Sequence, residues 1–458
     1  MTMTDWKDDL KAQEQAHVDE LLELLRKPSV STDPTRKDVV SETAAWVKAR
    51  LEKAGVPVVK IADSALHPSV VGRWEVDPAQ PTVLFYGHFD VQPAEPLELW
   101  ETPPFEPTIR DGRIYARGSS DMKGSLLTVI QGVEAVAKAN GGQPPINVAF
   151  IFEGEEEIGS PNFRQIILDN LDIVKADTVV SADGSQFGPD TPSLNVAWKG
   201  LAGLQVNLKG ANSDLHSGGY GSTVPNAVQA LVQLAATFHD ADGRVQVEGF
   251  YDSVIDLTED DKAEIAQTAF DEEQFKQDLG LTALWGEKGW TPQQRIYGRP
   301  TLDLNGIWGG FQGEGVKTVT PNEAHLKITC RLVKDQHPGE IVELIRTHVE
   351  KHAPAGTTVE VVPAAGSADP YVVDRDNEVY RAAGKVLAEL HGTEPVLVRS
   401  GGTIPATAIF KDVLHADTVS YGWAQPGSGA HAPNEWYRTE DYLRGRVAVG
   451  RLLEELAR

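Results

Sequence analysis

The stretch TVLFYGHFD, residues 82–90, decides how the rest of the chain is read. Its first five residues form an unbroken apolar run, and two comparable runs follow, INVAFIF at 146–152 and TVV at 178–180. A strand with one wet face alternates polar and apolar residues, whereas continuous runs mark strands buried on both faces, as in a parallel-rich sheet covered by helices. Between the first two runs Leu126, Val129, Ile130, Val133 and Val136 recur at helical spacing and predict a covering helix. Upstream, residues 14–25 and 39–51 carry the same period, and PVVKIA and SVVGRW read as short strands. The first half is therefore α/β.

From about Leu201 the order changes. A strand in LAGLQVNLKG, a helix with Ala227, Val228, Leu231, Val232 and Ala235 on one face, strands at 301–308 and 324–332, a helix with Ile341, Val342, Ile345 and Val349, and a strand at 357–362 give β-α-β-β-α-β. That is the split βαβ plan of a small ferredoxin-like domain. An acidic stretch at 245–297 interrupts it and is expected to be helical. The chain then returns to α/β character, with a helix near 377–390, a strand at 418–421 and a closing helix. The expected organisation is a catalytic α/β domain with a mixed, largely parallel sheet, residues 1–199 and 366–458, interrupted by an inserted α+β domain, residues 200–365.

Bulk properties narrow the function classes. At 458 residues the chain exceeds what one core usually organises. A formal net charge of −25, with no basic tract, argues against nucleic-acid binding. No apolar run is long enough to span a bilayer and the first residues lack a secretory pattern, so a cytoplasmic protein is expected. The single cysteine, Cys330, leaves imidazole and carboxylate as the available metal ligands.

Those ligand types sit where the runs end. His88 and Asp90 follow the first run, Glu153 to Glu157 the second and Asp183 the third, and Asp121 in ARGSSDMKG stands just before the covering helix. Ligands bind outside the carboxyl ends of strands in open α/β sheets. Singly, each residue has an ordinary reading: Asp121 a helix N-cap, Asp183 with Gly184 a turn, the acidic run a solvated loop. Together, Asp121, Glu157 and Asp183 as anions and His88 and His431 as neutral ligands would largely neutralise two divalent ions, zinc first, with manganese or cobalt also suited. Asp90, two residues after His88 and on the same face, reads as the carboxylate that orients its imidazole.

The series GHFDVQP, ARGSSDMKG, EEEIGS, SADG, DLHSGGYG and GAHAPNEW resembles the M20 family of dinuclear metallopeptidases, in its carnosinase-like, cytosolic nonspecific dipeptidase branch. The resemblance spans nearly the whole chain. It implies that His88, Asp121 and Asp183 hold one ion and Asp121, Glu157 and His431 the other, with Asp121 bridging. Glu156 falls at the general-base position for an attacking metal-activated hydroxide. His216 would act in trans, from the partner of a homodimer formed by the inserted lid domain, and stabilise the oxyanion. Arg331 in KITCRLV would clasp the free C-terminal carboxylate of a dipeptide, beside Thr318 and Thr403; a guanidinium matches a carboxylate bidentately. Met122 departs from the acidic residue that some relatives carry after the bridging aspartate. The rival on the same site is an N-acyl-amino-acid deacylase. A noncatalytic homologue would be expected to have lost ligands, and none is lost. A serine hydrolase could be read from Ser120 and Lys123, spaced S-x-x-K, but no KTG partner follows. GFQGEG at 310–315 lacks the Lys-Ser/Thr pair of a phosphate loop.

Overall fold

The structure, a computed structural model, describes residues 6–268, 270–364, 366–402 and 404–458. The chain divides into two compact units: residues 1–196, 373–398 and 409–458 form the first, and residues 197–372 with 399–408 the second. The short segment 399–408, expected from the sequence to belong to the closing α/β stretch, clusters with the second unit instead. The principal strands, in chain order, are β1 (Val58–Ala62), β2 (Ser69–Trp74), β3 (Thr82–His88), β4 (Asn147–Glu153), β5 (Thr178–Ser181), β6 (Gly200–Lys209), β7 (Thr301–Gly309), β8 (Glu323–Leu332), β9 (Thr358–Pro363) and β10 (Asp417–Ser420).

The first unit is built on a six-stranded sheet in the order β1-β2-β4-β3-β5-β10. Strands β4, β3, β5 and β10 run parallel, while β2 pairs antiparallel with both β1 and β4. Every residue of β3 and β4 is buried, as their unbroken apolar runs require. Helix Gly124–Ala139 covers the sheet and is itself buried over almost its whole length, because the closing helix Thr439–Leu456 packs on its other side. The two helices meet so closely at Gly132 that a Cβ there would lie 2.6 Å from the Arg446 carbonyl. Any larger residue would push the pair apart.

The second unit has a four-stranded antiparallel sheet in the order β7-β8-β6-β9. Strand β8 shows why one face alone is covered. Ala324, Leu326, Ile328, Cys330 and Leu332 point inward, each no more than 1% exposed, and alternate with His325, Lys327, Thr329 and Arg331. Helices Ala227–Ala235 and Pro338–His352 lay Leu231, Leu234, Ile341, Ile345 and Val349 on that inner face. Each such side chain, fully buried, contributes about 1.5–3 kcal/mol. The 245–297 stretch is only partly helical: Glu259–Gln267 and Pro292–Gly298 start at capping boxes on Thr258 and Thr291, and Glu272–Asp278 lies between them.

Candidate active site

Three parallel strands deliver the acidic and imidazole groups to one rim of the first unit. His88 ends β3, Glu153 ends β4 with Glu156 and Glu157 in the turn after it, and Asp183 follows β5. The turn after β4 is shaped by the buried Glu155, which accepts hydrogen bonds from the amides of His67 and Asn162 at 2.8 and 3.2 Å. At the end of β3 Met122 packs closely on Gly87, where a Cβ would stand 2.7 Å from the methionine methyl and displace that side chain. The Met122 sulfur accepts the His88 amide at 3.2 Å.

Asp121 lies at the centre. Its Oδ1 is 3.1 Å from His88 Nε2 and its Oδ2 is 2.9 Å from His431 Nε2, so the two oxygens face different imidazoles. His431 Nε2 is also 3.2 Å from Glu157 Oε2. Asp121 is no helix cap: it sits in an irregular turn, and the helix begins at Gly124 without a capping side chain. His431 adopts φ 62°, in the left-handed region that non-glycine residues seldom occupy, and such outliers persist where surrounding structure over-determines them. Asp90 reaches two of these groups. Its carboxylate Oδ1 stands 3.5 Å from His88 Nδ1, its backbone carbonyl is closer at 3.1 Å, and its Oδ2 accepts the Glu157 amide at 3.1 Å.

Electrostatically the cluster is incomplete. Burial, followed by repulsion from Asp183, Glu153 and Glu157 and opposed by His88, pushes the Glu156 carboxyl up to about 9. Burial and then Asp121 push Asp183 up to about 6. Hydrogen bonds to Asp121 and Glu157 drive the His431 imidazole up to about 10. Crowded acids of this kind call for cations among them. Two ligands on one tetrahedral zinc, each about 2.0–2.2 Å from the ion, stand roughly 3.3 Å apart. The His88–Asp121, His431–Asp121 and His431–Glu157 separations approach that spacing, and ligand atoms of His88, Asp121 and Glu157 all lie within 4.8 Å of one another. The residues fit divalent cations in both chemistry and spacing.

Several supporting residues carry no clear mark in the sequence. The fully buried Glu435 accepts from the amides of Gly118, Ser120 and Asp121 at 2.9, 2.8 and 3.0 Å, from the Ser120 hydroxyl at 3.0 Å, and from Arg117 at 2.7 Å. One carboxylate thus folds the turn that presents Asp121. Its only signal in the sequence is its place in GAHAPNEW, four residues after His431. Gln92 donates to Glu157 Oε2 at 2.8 Å, and Tyr86 donates to Glu153 at 2.7 Å behind Glu156. The serine-hydrolase pairing is not formed, since the Ser120 hydroxyl binds Glu435 while Lys123 Nζ donates to the Lys27 carbonyl at 2.6 Å.

His216, Thr318 and Arg331 belong to the second unit. His216 and Thr318 are neighbours there: the strand Leu215–His216 pairs with Val319–Thr320, and the Ser217 amide donates to the Thr318 carbonyl at 3.0 Å. Arg331 lies on the uncovered face of β8, between Leu201 and Thr301. Thr403 lies outside the described residues.

Comparison with known proteins agrees with this geometry. The family model described as Peptidase family M20/M25/M40 matches residues 84–455. The Cys-Gly metallodipeptidase dug1 of Schizosaccharomyces pombe is 31% identical, with 94% of this chain and 93% of the relative aligned. The human Beta-Ala-His dipeptidase is 28% identical over 92% of this chain and 84% of its own length. Among solved structures, the M20 family metallo-carboxypeptidase Sso-CP2 of Sulfolobus solfataricus superposes with a TM-score of 0.84 at 33% identity, covering 96% of this chain and 99% of that one. The parallel-rich sheet, the carboxylate and imidazole cluster at its rim and the match over residues 84–455 lead to one conclusion: the chain belongs to the M20/M25/M40 peptidase family.

Proposed function

We propose that the protein hydrolyses the peptide bond of dipeptides bearing a free C-terminal carboxylate, with two divalent cations, zinc in the first instance, held by His88, Asp121, Glu157, Asp183 and His431. The observation that carries this reading is Asp121, whose two oxygens each face a different histidine within 3.1 Å. A carboxylate so placed could be shared between two cations, with His88 and Asp183 holding one and Glu157 and His431 the other. Cations there would polarise the scissile carbonyl and lower the pKa of water towards neutrality.

The chain's own residues do the rest. Glu156, held among other carboxylates and 3.9 Å from His88 Nε2, takes a proton from the attacking water and returns it to the leaving amine. Asp90 orients His88 and fixes the Glu157 backbone. His216 Nδ1 accepts the Gly218 amide at 3.0 Å, so the neutral ring carries its proton on Nε2 and offers a donor for an oxyanion. By resemblance that donor serves the partner subunit of a homodimer. Leu304 and Ile307 on the edge strand β7, and Val232 on the neighbouring helix, are exposed apolar residues suited to such an interface. Arg331, with Thr318 and Thr403, is assigned the substrate carboxylate.

The names of the Schizosaccharomyces pombe and human relatives support a dipeptide substrate. The Sulfolobus solfataricus neighbour is a carboxypeptidase, so longer peptides belong in the test. Metal-replete enzyme should cleave dipeptides and leave N-acyl amino acids and tripeptides largely intact, and chelation should abolish the activity. Selective cleavage of acyl amino acids would transfer the assignment to a deacylase, and release of C-terminal residues from tripeptides to a carboxypeptidase.

A further inference from the structure

Whatever binds a peptide's terminal carboxylate also decides where its last side chain goes, because that side chain leaves the adjacent carbon. The surroundings of Arg331 in the second unit therefore bear on specificity. Directly opposite Arg331 in the β7–β8 register stands Thr301. On its other side Arg331 pairs with Leu201 of β6, and just before that strand is the buried Lys199, which feels the Arg331 charge and donates through Nζ to the carbonyls of Arg295 and Arg299 at 3.0 and 2.5 Å. Those carbonyls lie at the end of the helix Pro292–Gly298. The glycine pair after Ser400 meets the same helix: a Cβ on Gly401 would lie 3.3 Å from the Ile296 side chain. Arg331 and Gly401 thus border one short helix.

Behind that helix is a cavity of about 210 Å³, walled by Val245, Tyr251, Trp285, Ile296 and Leu302, with Asp303 among its lining residues and Thr301 at its edge. Drug-sized ligands occupy clefts of roughly 300–1,000 Å³, so this one suits a single side chain. The charged groups around it are engaged with one another. Glu287 takes two hydrogen bonds from Arg299, both at 2.9 Å, and the Arg295 guanidinium donates to the carbonyls of Trp285 and Trp290. What faces the space is mainly aliphatic and aromatic carbon, with His239 and, besides the paired Glu287, a second carboxylate, Asp303, which accepts from the Thr301 hydroxyl at 2.9 Å.

We infer that this cavity, formed by the acidic 245–297 stretch against the start of β7, is the subsite for the side chain of the substrate's C-terminal residue and selects apolar or aromatic side chains over acidic ones. The inference rests on the dipeptidase reading, in which Arg331 holds the carboxylate. On this view the stretch that interrupts the β-α-β-β-α-β plan serves to build the wall of a pocket.

The test compares kcat/KM for Ala-Phe, Ala-Leu, Ala-Gly and Ala-Asp with a reversed series, Phe-Ala, Leu-Ala and Gly-Ala, in the metal-replete full-length protein. The wild type should favour Ala-Phe and Ala-Leu over Ala-Gly, with Ala-Asp poorest. Ile296→Trp fills the cavity, and Trp285→Ala opens it at a residue 70% exposed, where folding is not at stake. Each should lower the Ala-Phe to Ala-Gly ratio about tenfold, the usual scale for losing apolar contacts in a pocket. The Phe-Ala to Gly-Ala ratio should stay as in the wild type. If both variants keep the wild-type ratio in the first series, or change both series equally, the subsite assignment is overturned while the dipeptidase reading stands. If the wild type cleaves none of these peptides, the dipeptidase reading fails and takes the subsite with it.

Discussion

Glu156, half-buried, and Glu435, fully buried, are carboxylates of the same unit whose surroundings differ in kind. Among the described residues Glu156 meets His88 at 3.9 Å and is crowded by other acids, which suits a group that must gain and lose a proton. Glu156→Gln should lower kcat on the order of 10²–10⁴-fold, while metal analysis finds the same ion content as in the wild type. Retained turnover would move the base elsewhere. Glu435 instead receives five hydrogen bonds, three from the backbone around Asp121. Glu435→Gln keeps the volume but cannot accept from all of these donors. Metal affinity measured by calorimetry should fall about 10–100-fold, as for other supporting groups behind metal ligands. Of the residues proposed to hold metal, His88, Glu157 and Asp183 are legible in the sequence because they follow strands whose ends can be read from apolar runs, while Asp121 stands before a helix and His431 is marked by its motif alone. The role of Glu435 is not legible, since its bonds reach a turn more than 300 residues earlier in the chain, and no local pattern encodes a contact of that range.

At the scale of elements, legibility follows length and period. Strands β3 and β4 are seven residues each, with polar residues at their ends and an apolar run between, so their burial can be read directly. The pair Thr108–Arg110 and Arg113–Tyr115, joined by Trp436–Arg438, has three residues per strand, too few to establish any period. Helix Pro338–His352 shows its inner face by Ile341, Ile345 and Val349, but a histidine shares that face. His348 is buried, stacks on Phe238 and lies 2.8 Å from the Thr237 hydroxyl. Burial, with help from His352 and Lys351, lowers its pKa from 6.5 to about 4. Because the folded form binds its proton less readily than the unfolded chain, the contribution is present above pH 6.5 and is lost as pH falls towards 4. Across this window the thermal unfolding midpoint of His348→Gln should fall less than that of the wild type as the pH is lowered. His17, lowered to about 4 in the first unit, acts with the same sign and should keep the variant's curve from becoming flat.

For the whole molecule, the question is how many chains make one working site. The residues proposed as metal ligands and Glu156 all belong to the first unit, and His216 and Arg331 to the second. If His216 serves the partner's site, a chain lacking Glu156 and a chain lacking His216 are complementary. In a mixed dimer, one of the two sites combines an intact Glu156 with an intact His216, whereas each parent dimer has no such site. Mixing inactive Glu156→Gln and His216→Ala proteins under conditions of subunit exchange should therefore restore activity towards a quarter of the wild-type rate, since about half of the dimers are mixed and each has one good site. Ile307→Lys gives an independent check through the interface. Placing a charge on the exposed edge strand β7 should shift the protein to monomers in sedimentation and abolish turnover, although every metal ligand remains in place. A fully active monomer would show that one chain suffices and that His216 has no work to do in trans.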